Sequence, residues 1–264
     1  MQHFTDDLVY TIMKRTIAAI LAILLAQNLV AQSDNVNAQA ARYFKEISEA
    51  TRTHKKLWNR NLYSNMLLVD PTTRKFFSNA PDSANTFIAK QGIYSGSLPA
   101  DINIANTAVS WKGKTWAMIM LPLAANKHKR INLLAHELFH TQQSFFGFQQ
   151  HNKESKHLDQ KDGRIYLRLE LEALKKALGS ATADAQQKHL SHAITFRKYR
   201  NLLYPNSQVL ENELELNEGI AEFTGLIISG RDKVQTKEHF ESELNSFFNN
   251  PTYVRSFAYC TTPI

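Results

Sequence analysis

His136 and His140 stand four residues apart in LLAHELFHTQQ, residues 133–143. The two imidazoles can act together only if this segment is helical. Residues i and i+4 lie one above the other on a helix face, so both rings can turn a nitrogen toward a single ion. Glu137 directly follows the first histidine, where a carboxylate can reach a metal-bound water as general base without being a ligand. Leu133, Leu134, Leu138 and Phe139 supply apolar faces, and neither Pro nor Gly occurs from Ile131 to Phe145. The pattern predicts a helix held in a core, with His136 and His140 as metal ligands and Glu137 as the catalytic base. The competing reading is two histidines that share a helix by chance.

A catalytic metal usually takes three protein ligands and keeps one position for water, so a third donor is required from another element. LELNEGIAEFTGLIISG, residues 214–230, offers Glu218 and Glu222, again four apart. Leu216, Ile220, Phe223, Leu226 and Ile227 follow helical spacing. These carboxylates therefore belong to a helix with a buried side, where each needs a partner, either a metal or a ligating histidine.

The two motifs together resemble those of the gluzincins, the HExxH zinc-peptidase group whose third ligand is a glutamate on a second helix. Asn217-Glu218-Gly219-Ile220-Ala221 is similar to the NEGxA segment of the aminopeptidase branch, and this implies Glu218 as the third ligand of one Zn²⁺ per chain. Thermolysin-like members carry an acidic residue four positions further on that hydrogen-bonds the first zinc histidine; here that position is Glu222, implied to orient His136. The resemblance implies a zincin-like α+β catalytic domain acting on peptide or protein substrates. It departs in one respect: 77 residues lie between His140 and Glu218, so an insertion must loop out and return. With 46 residues after Glu218, the helical part that completes the cleft is also shortened, and a C-terminal truncation is part of the expectation. Gluzincins use a Tyr or His to stabilise the oxyanion, and Tyr253 and Tyr259 are the available donors, with aromatic packing as the alternative.

Other carboxylates compete. Glu211, Glu213 and Glu215 alternate with Asn212, Leu214 and Leu216 and read as a solvated approach to the helix. Glu170 lies beside the stripe Leu167, Leu171, Leu174 and Leu178; it is a candidate substrate contact or supporting group, weighed against a surface salt bridge with Arg168 or Lys175. The remaining histidines lack ligand spacing, apart from a loose His189/His192 pair.

Two units are expected in one compact catalytic domain: residues 32–130 with a small mixed sheet, and a mainly helical portion, 131–264, with a helical insertion at 164–203. AVSWKGKTWAMIMLPL reads as a hairpin around Lys112-Gly113-Lys114. By the resemblance, its second strand, Trp116 to Leu121, is the edge strand that holds a substrate backbone, with an ordinary core strand as the alternative. Residues 1–31 read as a secretory signal: Met13-Lys14-Arg15, an apolar run from Ile17 to Ala26, and small residues near Ala31. Met13 is the expected start and 233 residues remain after cleavage. The run is short for a membrane span, so the expected product is periplasmic or secreted, without stable membrane insertion. The net charge of +7 is dispersed and no aromatic-basic motif for nucleic acid appears. Cys260 is the sole cysteine, which excludes an internal disulfide. From a different class, the alternative is a catalytically silent zinc-containing envelope protein.

Overall fold

The computed structural model describes residues 36–148 and 153–264; the expected export signal lies outside them. No described helix is long and apolar enough to cross a membrane. The chain is mixed α+β, as the patterning predicts. Helix α1 (36–53) precedes six strands: β1 (Met66–Val69), β2 (Lys75–Ser78), β3 (Ile88–Lys90), β4 (Ile93–Ser97), β5 (Thr107–Trp111) and β6 (Lys114–Met120). They form one sheet in the order β3-β4-β2-β1-β6-β5. The β1/β6 pair is parallel and the other pairs are antiparallel. Helices α2 (Lys127–Gln142), α3 (Lys161–Leu178), α4 (Ala183–Leu203), α5 (Ser207–Leu214), α6 (Ile220–Ile228), α7 (Lys233–Phe247) and α8 (Ala258–Thr261) follow.

Strand periodicity divides the apolar residues between two cores. Met66 and Leu68 of β1 and Ala117 and Ile119 of β6 face one way, where they pack with Tyr43, Phe44 and Ile47 of α1, and with Leu134, Leu138 and Phe139 of α2. Leu67, Val69, Trp116 and Met118 face the other way, with Phe76, Phe87 and Leu98. A third core, built from Leu167, Leu171, Leu214, Leu244, Phe247 and Phe257, organises the helical portion.

The order of the sheet corrects one expectation. The strand at Trp116–Leu121 is interior: β6 lies between β1 and β5. Trp116 to Ile119 are all buried, and an apolar run with both faces covered suits a position with neighbours on both sides. The edge strand beside the first motif is β5.

Candidate metal centre

Asn126 caps α2, its side chain accepting from the Lys129 amide at 3.0 Å. The helix runs beneath the sheet and buries His136 and Glu137, each 4% exposed. The second motif is not one regular helix as expected. Between α5 and α6, residues Glu215–Gly219 form a wide π turn, a feature frequent at functional sites. It carries Glu218, and α6 then crosses α2 so closely that a Cβ on Gly225 would lie 2.5 Å from the Asn132 carbonyl oxygen. This approach sets Glu218 and Glu222 opposite the histidines.

The Nε2 atoms of His136 and His140 are 3.1 Å apart, and each lies 3.5 Å from Oε2 of Glu218. Three ligands about 2.0–2.2 Å from one tetrahedral ion stand about 3.3–3.6 Å from each other; the two histidine–glutamate spacings lie in that range and the histidine pair is slightly closer, so the set is near that required by a zinc-sized ion. Among the described residues this trio is the group able to hold a metal.

Hydrogen bonding strengthens the fit. His136 Nδ1 donates to Glu222 Oε2 at 3.1 Å and His140 Nδ1 donates to Gln143 Oε1 at 2.8 Å. With Nδ1 engaged by these acceptors, each ring presents its Nε2 toward Glu218. Burial opposes charging of His136, but its bonds to Glu218 and Glu222 outweigh burial and raise its pKa to about 10. Burial opposes ionisation of Glu218, but its bonds with His136, His140 and Tyr259 hold it well below the usual carboxylate range. Such a field favours a cation.

An outer ring fixes these groups. Asn132 donates to Glu222 Oε1 at 2.8 Å, and Arg231 donates to the Asn132 side-chain oxygen at 3.0 Å. Gln143 donates to Asn217 at 2.9 Å, and Asn217 donates to Glu218 Oε1 at 3.2 Å. The sequence reading missed Asn132, Gln143, Asn217 and Arg231. Asn132 and Gln143 carried a usable signal, lying four before His136 on α2 and three after His140 at its C-cap.

Glu137 has a different environment. Its Oε2 is buried without a hydrogen-bond partner, and burial raises its pKa, against the lowering influence of His136 and His140. It lines a cavity of about 260 Å³ together with His136, His140, Glu218, Asn217, Arg255, Tyr259, Asn106 and the start of β5, Thr107 and Ala108. The cavity continues on one side past Val109, Ser110 and Phe148, and on the other toward Leu133, Lys129, Arg231 and His239.

The two candidate tyrosines part company. Tyr259 enters the site: its hydroxyl donates to Glu218 Oε2 at 2.6 Å and its ring stacks on His136 with centroids 5.6 Å apart. Burial and the neighbouring Glu218 carboxylate push its pKa up. Tyr253 is 1% exposed, stacks on Phe247 and donates to the Phe248 carbonyl at 3.1 Å; it belongs to the core.

Glu170 is also elsewhere, and it is not the surface salt bridge expected of it. It is 2% exposed and paired with Arg197 and Arg200, each at 2.7 Å, and not with Arg168 or Lys175. Glu211 and Glu215 are not a solvated approach. Glu211 is 1% exposed and bonded to Arg200 and His157, while Glu215 is paired with Arg197. Helical continuation from α5 into the π turn turns these positions inward. No protein family, curated protein or solved structure matches the chain.

Proposed function

We propose that this chain is a zinc-dependent metallopeptidase of zincin-like fold, with His136, His140 and Glu218 as ligands and Glu137 as general base. The observation that carries the reading is the convergence of three acceptor atoms beside a buried, unpartnered carboxylate oxygen. A zinc ion held there would supply Lewis acidity and lower the pKa of a water toward neutrality.

The chain's own groups account for the remaining chemistry. Glu137, with its pKa raised by burial, takes a proton from the attacking water and delivers it to the leaving amine. Tyr259 donates its O–H to the developing oxyanion in exchange for its bond to Glu218. The outer edge of β5, unpaired among the described residues, runs along the cavities, where an extended peptide can add as a further strand, its backbone hydrogen bonds being indifferent to side-chain identity. Glu222, Gln143 and Asn217 keep the ligands in register. The signal-like segment at 13–31 supports work outside the cytoplasm.

The test is Glu137→Gln in the full chain, measuring bound zinc and hydrolysis of a mixed peptide library. Zinc is retained, and hydrolysis falls by about 10²–10⁴-fold. Undiminished hydrolysis by the zinc-loaded variant would sink the mechanism. Bound zinc with no hydrolysis by the parent would favour the catalytically silent alternative.

A further inference from the structure

A second cluster of buried charge lies next to the metal centre without entering it. Arg200 is 0% exposed and donates to Glu170 Oε2 at 2.7 Å and to Glu211 at 2.9 and 2.5 Å. Glu211 also bonds His157 Nε2 at 2.6 Å. Arg197 donates to Glu170 Oε1 at 2.7 Å and grips both oxygens of Glu215 at 2.9 and 2.7 Å. Glu215 also accepts from the Thr261 hydroxyl. The chain of contacts thus runs from His157 through α5, α4 and α3 to the π turn and α8.

The insertion does not line the cleft. The three cavities that meet at the candidate ligands take no lining residue from 161–203. Apolar side chains of similar volume would fill such a region with equal or better stability, because desolvating charges is expensive. What an ion network supplies is direction. The Arg197 fork fixes the plane of the Glu215 carboxylate as a single-point cation could not.

Glu215 opens the π turn, and Glu218 stands three residues later. Through Thr261 the same carboxylate ties down α8, two residues beyond Tyr259. Packing supports this coupling, since a Cβ on Gly219 would come within 2.1 Å of Thr262 Oγ1. The turn bearing the ligand and the helix bearing the oxyanion donor therefore meet at one carboxylate.

We infer that Arg197, acting through Glu215, is a positioning residue that sets the π turn and α8, and with them Glu218 and Tyr259. The insertion is a buttress behind the metal centre and not a lid over it. The inference rests on the metal reading above.

It is tested on the full-length chain by three measurements: zinc affinity in competition with a chromophoric chelator, the visible spectrum of the cobalt(II)-loaded protein, and thermal unfolding of the metal-free protein. Arg197→Met lowers zinc affinity about tenfold or more, the lower end of the range for supporting partners, and changes the cobalt spectrum. Arg197→Lys recovers part of the affinity, because lysine restores charge without the fork. His157→Gln, at the far end of the network, lowers the melting temperature and leaves zinc affinity at the parent value. If Arg197→Met does not fold, Glu215→Gln gives the same readout with its shape retained. A folded Arg197→Met protein with reduced melting temperature but unchanged affinity and spectrum overturns the inference. A parent that takes up no zinc overturns the metal reading, a separate observation.

Discussion

Glu215 and Glu218 stand three residues apart on one π turn, and each enters a different buried polar cluster. Around Glu215 the acceptors meet donors: Arg197 and Arg200 bridge Glu170, Glu211 and Glu215 with short bonds. Around Glu218 three potential metal ligands converge, with two imidazole Nε2 atoms turned toward one carboxylate oxygen and Tyr259 and Asn217 as donors to the same carboxylate. Burial is similar in both places, so burial alone does not separate a structural cluster from a functional one. The inventory of donors and acceptors does, because converging imidazole and carboxylate groups are completed by a bound cation or by protons that a cation can replace.

The contrast can be broken at either end. The larger effect is expected in the ion network, where Arg200→Met leaves Glu211 and Glu170 short of a buried partner. Equilibrium unfolding in urea should show a loss of about 3–5 kcal/mol, while the folded fraction still takes up zinc. A stability change under about 1 kcal/mol would mean that the network is far better solvated than its burial implies. At the other cluster the smaller effect is on affinity. Glu222→Gln weakens the acceptor that holds His136 in its tautomer and should lower zinc affinity by about 10–100-fold, measured by chelator competition. An unchanged affinity would remove Glu222 from the account of the site.

The sequence made some of this legible and hid the rest for identifiable reasons. His136, Glu137 and His140 were readable because helical spacing is local, and Glu218 and Glu222 because a second short motif carried the resemblance. Their mutual approach across 77 intervening residues depends on α6 crossing α2 at Gly225, which no local pattern reveals. Arg197 and Arg200 find Glu170 across a helical hairpin, so neighbouring Arg168 and Lys175 offered the wrong partners. Tyr253 and Tyr259 are similar in sequence context but differ in direction, one packed on Phe247 and the other on His136. A hairpin pattern does not say which of its strands is outermost. The unbroken buried run from Trp116 to Ile119 was the available sign that β6 is interior.

The central claim is that His136, His140 and Glu218 hold a metal, and elemental analysis of the purified full-length chain beside its Glu218→Ala variant tests it most directly. The account predicts about one zinc per parent chain and a large loss in the variant. A folded parent without zinc, or a variant that binds as much as the parent, would contradict it.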